Sequence, residues 1–106
     1  MAKYLFCTKY TKSGLEGLIR EGGTGRREAL RQTIEGVGGT LEGFYYAFGE
    51  VDLLLLAELP DEASAAAVSL NIGAAGALDV AVTVLVTPET IDEAVKKGVP
   101  YRVPGA

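Results

Sequence analysis

The chain reads as an α+β domain with elements in the order β-α-β-β-α-β: a four-stranded antiparallel sheet with helices on one face, plus a short C-terminal helix. Three observations predict this arrangement. Four segments alternate with a period of two or run continuously apolar, helical stripes separate the first from the second and the third from the fourth, and the middle pair is joined by a link of hairpin length.

Lys3 to Tyr10 places Tyr4, Phe6, Thr8 and Tyr10 on one side of an extended chain and Leu5 and Cys7 on the other, which predicts the first strand. Leu15, Leu18 and Ile19 fit a short helix. After Glu21-Gly22-Gly23-Thr24-Gly25, the stripe Ala29, Leu30, Thr33, Ile34 and Val37 predicts a second helical piece that Gly38-Gly39 ends. Thr40 to Phe48 and Val51 to Leu59 read as antiparallel strands joined by a tight turn at Gly49-Glu50. Pro60-Asp61-Glu62 starts a helix whose expected apolar stripe is Ala63, Ala66, Ala67 and Leu70. Leu78 to Val86 is the fourth strand, with Val80, Val82, Val84 and Val86 on one face. Thr87-Pro88 then caps a short helix carrying Ile91, Ala94 and Val95, and Val99 to Ala106 is expected to be extended. The element order is that of the ferredoxin-like arrangement.

At 106 residues, 48% of them hydrophobic, residues 1–106 are expected to form a single domain around one core. No uninterrupted apolar run reaches the roughly 18 residues of a membrane-spanning helix, and a lone cysteine, Cys7, forms no internal disulfide; both point to a cytoplasmic protein. A formal charge of −4 without a basic cluster argues against nucleic acid. With no histidine, one Cys and one Met, zinc, copper and haem lack their usual ligands, and only an all-oxygen cation site stays open. No metal or cofactor is expected. Acid–base chemistry would fall to carboxylates, Lys, Tyr or Cys7.

The third strand is apolar on both sides: Val51, Leu53, Leu55, Ala57 and Leu59 on one, Leu54 and Leu56 on the other. A sheet covered by helices on one face therefore keeps an apolar second face, and a homo-oligomer that stacks two sheets is the expected cover. The alternative is that the C-terminal helix and tail cover it within one chain.

Lys3-Tyr4-Leu5, Glu21-Gly22-Gly23 with Arg26-Arg27, Gly38-Gly39-Thr40-Leu41-Glu42 and the run Phe44 to Asp52 form a combination that resembles the GYD domain family of small bacterial and archaeal proteins. Leu59-Pro60-Asp61, Thr87-Pro88-Glu89 and Tyr101 to Ala106 extend the likeness over nearly the whole chain. The resemblance implies a dimeric α+β barrel type of fold and supplies no reaction. The family's Gly-x-Tyr-Asp segment corresponds to Gly49-Glu50-Val51-Asp52, with valine where tyrosine is usual.

Among candidate site residues, Asp52 opens an apolar strand on the face of Leu54, Leu56 and Glu58, where a partly desolvated carboxylate would suit a general base or a ligand hydrogen bond. The structural alternative is a hairpin cap or an ion pair. Tyr45 and Tyr46 point to opposite faces, so one of them, with Tyr4 or Tyr10, is positioned to line a pocket between sheet and helices. Gly22 to Arg27 offers backbone N–H groups and the guanidiniums of Arg26 and Arg27 to an anion, or else is a helix break with exposed arginines. It has neither the P-loop ending nor the dinucleotide fingerprint. Cys7, without a histidine to activate it, reads as a small hydrophobe.

These features favour a non-catalytic oligomer that binds or senses a small anionic or aromatic molecule. The alternatives are a cofactor-independent oxygenase or isomerase of an aromatic or polyketide-like substrate, by fold analogy, and a structural or protein-interaction module.

Overall fold

The computed structural model describes residues 1–106. Its elements are β1 (Ala2–Tyr10), α1 (Lys12–Glu21), α2 (Gly23–Gly36), β2 (Thr40–Tyr46), β3 (Leu53–Leu59), α3 (Glu62–Ala74), β4 (Leu78–Leu85) and α4 (Pro88–Val95). The strands form one antiparallel sheet in the order β2-β3-β1-β4, the ferredoxin-like topology.

Alternation in β1 sets which face is the core. Tyr4, Phe6, Thr8 and Tyr10 are buried, as are Leu53, Leu55, Ala57 and Leu59 of β3, and Leu30 and Ile34 of α2 and Ala65 and Val68 of α3 close over them. Phe6 sits between Leu55 and Val82 in the register. Each fully buried large apolar side chain contributes about 1.5–3 kcal/mol relative to exposure. Thr8 is polar in this layer because its hydroxyl donates to the Leu53 carbonyl at 3.0 Å.

α1 is held to the sheet by its cap. The Thr11 hydroxyl accepts from the Gly14 N–H at 3.2 Å and donates to the Gly76 carbonyl at 2.7 Å, tying the helix start to the link before β4. A side chain at Gly14 would run into the Ala77 carbonyl, so only glycine permits this approach. The glycine-rich segment is a helix break and restart: Gly22 alone leaves helical geometry, at φ 85°, and α2 begins at Gly23.

Three expectations are corrected. The strands flanking the middle turn are shorter than their apolar runs, and residues 47–52 form a six-residue connection in place of a tight Gly49-Glu50 turn. The buried stripe of α3 is Ala65, Val68 and the partly buried Ile72, while Ala63, Ala66 and Leu70 face solvent. That helix is apolar on every side, so periodicity does not single out its core face. Asp52 precedes the ladder of β3, and its carboxylate does not follow the row of Leu54, Leu56 and Glu58.

α4 forms as its Thr87 cap predicts, with Thr90 N–H donating to the Thr87 hydroxyl at 3.2 Å. It buries no residue, and Ile91 and Val95 are exposed. The radius of gyration of 16.9 Å exceeds the roughly 13 Å of a compact chain of this size, with a long axis of 56 Å. α4 packs against none of the strands, so it does not cover the sheet face opposite the helices. No helix is long and apolar enough to cross a membrane.

Candidate functional site

A cleft of ≈ 380 Å³ opens at one end of the sheet, lined by Tyr10, Leu15, Leu18, Gly23, Tyr46, Ala47, Phe48 and Asp52. Four elements meet there. Tyr10 is the last residue of β1 and Tyr46 the last of β2; Leu15 and Leu18 come from α1, and Gly23 is the first residue of α2. The connection between β2 and β3 supplies Ala47, Phe48 and Asp52.

Three hydrogen bonds fix that connection. Asp52 N–H donates to the Thr8 carbonyl at 2.8 Å, Ala47 N–H donates to the Asp52 carbonyl at 2.9 Å, and one Asp52 carboxylate oxygen accepts from Tyr10 N–H at 2.8 Å. The carboxylate thus caps the free end of β1, a structural task for the acidic residue of the Gly49-Glu50-Val51-Asp52 segment. Val51 lies in a shallow depression shared with Cys7, Lys9 and Ala81.

The two phenols differ. Tyr46 donates its hydroxyl proton to the Gly23 carbonyl at 3.2 Å, and its ring passes so close to Gly23 that a side chain there would stand 3.1 Å away. Burial, followed by the neighbouring Tyr10 phenol, pushes its pKa up to about 12. Tyr10 is 8% exposed and its hydroxyl is shielded from solvent; it makes no hydrogen bond of good geometry, but lies close enough to the Tyr46 hydroxyl for the two to interact. A buried hydroxyl without a partner costs about 1–3 kcal/mol. Phe48 is fully exposed at the rim.

Of the residues singled out in the sequence, the cleft unites Tyr46 and Asp52, joined by Tyr10. Tyr45 lies on the opposite sheet face, 70% exposed. Arg26 pairs with Glu21 at 3.6 Å and Arg27 with Glu28 at 3.5 Å; neither lines the cleft. Phe48, Leu15 and Leu18 were not foreseen as site residues. The available signal was a phenylalanine beside Gly49, where an apolar ring next to a turn has no strand face to occupy. No group of three or more acidic or sulfur side chains converges anywhere in the chain.

The family model described as GYD domain matches residues 4–95, from β1 to the end of α4. The chain belongs to the GYD domain family. No curated protein and no solved structure matches it. Every residue lining the cleft falls within the matched GYD domain, so the site is made by the family's own elements. Chemically, the GYD domain offers here an apolar wall, two phenols and one carboxylate with a single oxygen engaged, and no Lys or Cys among the lining side chains.

Proposed function

We propose that this GYD domain binds a small molecule in the cleft between α1, the start of α2 and the β2–β3 connection. The observation that carries this reading is the cleft itself, ≈ 380 Å³ with apolar walls from Leu15, Leu18 and Phe48 into which Tyr46 and Asp52 converge. Convergent polar groups in an apolar concavity are the usual form of a ligand site. Thermal-shift screening of the pure protein against metabolite classes tests it: at least one class should raise Tm, and the gain should shrink when the rim is altered by Phe48→Asp. Stabilisation by no class, or equal stabilisation of the variant, would overturn the reading.

The partner proposed for the open sheet face is a second copy of the chain. Leu5, Cys7, Leu54, Leu56 and Leu85 are half-buried there, in the rows facing away from the helices. The rim carries both signs: Lys9 stands opposite Asp79 at one end, and at the other Lys3 stands opposite Glu58 and pairs with Glu42 at 3.0 Å. A face with both charges at each end complements itself under a two-fold axis. Sedimentation velocity should give a dimer that Leu54→Asp converts to monomer; a monomeric wild type at micromolar concentration would exclude this arrangement.

A further inference from the structure

We infer that the cleft selects an organic ammonium, a molecule with a small apolar body whose protonated amine is held by the Asp52 carboxylate. This rests on the binding reading above and names the chemical class that reading leaves open.

The side-chain polar atoms within a ligand's reach are acceptors. One Asp52 oxygen accepts from the Tyr10 backbone N–H at 2.8 Å, and the other makes no hydrogen bond or ion pair. That second oxygen is open to solvent, because the Tyr10 hydroxyl is the one buried side-chain oxygen or nitrogen left without a partner. Asp52 lines this cleft and not the neighbouring depression around Val51. Tyr46 commits its hydroxyl proton to the Gly23 carbonyl and keeps a lone pair. The Tyr10 hydroxyl is sealed from the cleft and takes no part. No side-chain donor in the lining is then free, so a complementary ligand brings N–H or O–H groups of its own.

Charge chooses between those donors. Asp52 is the one acidic side chain in the lining, and no Lys or Arg stands beside it there. The charge of Arg26 reaches the Tyr46 hydroxyl, but Arg26 is paired with Glu21 at 3.6 Å and the two act on that hydroxyl in opposite senses. An anionic ligand would meet a like charge with no counter-charge, where desolvation makes both more costly. An alcohol would satisfy the acceptors and leave the carboxylate's charge unpaired. An ammonium meets both demands, with up to three N–H donors and the opposite charge.

The walls set the body that carries the amine. Leu15, Leu18 and Phe48 add apolar surface, and the rings of Phe48 and Tyr46 attract a cation placed over their faces. The volume of ≈ 380 Å³ is at the lower end of the roughly 300–1,000 Å³ of small-molecule sites. It admits one ring system or short alkyl body, not an extended chain.

The test uses four probes with the same ring body: naphthylmethylamine, naphthylmethanol, ethylnaphthalene and naphthoate. Each is titrated by ligand-observed NMR into the full-length wild type and Asp52→Asn, whose amide oxygen retains an acceptor for the Tyr10 N–H. The amine should bind about fivefold or more tighter than the alcohol, the scale of one charge-assisted hydrogen bond partly open to water. Naphthoate should bind most weakly. Asp52→Asn should bring the amine to the alcohol's affinity while leaving ethylnaphthalene unchanged, which also shows that the variant is folded. In the wild type, raising the salt from about 50 to about 500 mM should weaken the amine and not the hydrocarbon, a readout that needs no variant. An amine no tighter than the alcohol, an amine affinity indifferent to salt or to Asp52→Asn, or tightest binding by naphthoate would overturn the assignment while leaving a binding cleft in place. Failure of all four probes would overturn the binding reading itself.

Discussion

The two sides of β3 are built from the same kind of residue and have different fates. Leu53, Leu55, Ala57 and Leu59 are fully buried beneath the helices, whereas Leu54 and Leu56, on the other side of the same strand, are half-buried. The difference lies in what covers them. α2 and α3 cross the first face, and α4, the one element free to cross the second, projects away with Ile91 and Val95 exposed. An apolar row on a strand is thus a demand for cover, and the topology decides whether the chain itself meets it.

The largest expected effect separates those two rows. Leu55→Ala should cost about 2–5 kcal/mol, because it opens a cavity between β3 and the helices that the packed layer cannot close. Leu54→Ala should cost less than about 1 kcal/mol in the isolated chain, since its side chain is only partly removed from water. Urea unfolding of both variants over a hundredfold range of protein concentration checks the contrast. If a second copy covers the open face, the Leu54→Ala penalty should grow with protein concentration while that of Leu55→Ala stays constant. Equal penalties at high dilution would break the comparison between the faces.

The same contrast explains how much was legible in the sequence. Strict alternation from Tyr4 to Tyr10 fixed the core row of β1 correctly, and the glycines around position 22 marked the junction of α1 and α2, because there the residue types and the geometry demand the same thing. In α3, alanine and other apolar residues occur on all sides, so the period of 3.6 carries no direction, and the buried set Ala65, Val68 and Ile72 emerges only from contact with the sheet. The β2–β3 connection was read too short because Phe48 and Val51 look like strand residues, yet the ladder stops at Tyr46 and Leu53. At the site, Tyr46 and Asp52 could be picked out as polar groups at strand ends. The unbonded hydroxyl of Tyr10 could not, as Tyr4, Thr8 and Tyr10 share one row and nothing in their spacing tells which oxygen finds a partner.

A smaller effect sharpens the comparison along that row. Thr8 and Tyr10 are both buried and both bear a hydroxyl, but the first donates to the Leu53 carbonyl at 3.0 Å and the second to nothing in the chain. Thr8→Val should therefore destabilise by about 1–2 kcal/mol, through loss of a buried hydrogen bond. Tyr10→Phe should leave stability unchanged or raise it slightly, because it removes a desolvated group without removing a bond. Thermal unfolding of the two variants side by side is the measurement. A loss for Tyr10→Phe as large as that for Thr8→Val would mean that the hydroxyl is satisfied in solution.

The smallest effect is one of pH, and it probes the cleft from the Tyr46 side. Its pKa is pushed up to about 12 by burial and by the Tyr10 phenol, so the folded protein favours the neutral form more strongly than the unfolded chain, where tyrosine titrates near its ordinary value of about 10. The linkage follows: this contribution to stability is fully present below about pH 10 and is lost as the pH rises from there through about 12. Tyrosinate absorbance should show one of the five tyrosines titrating late, and Tyr46→Phe should remove that step. Tyr10→Phe should move the step back toward the ordinary value, because it deletes one of the two leading causes while leaving part of the burial. If the late step survives Tyr10→Phe unchanged, the two hydroxyls do not sense each other. The two phenols would then be separate groups, each answering to its own surroundings.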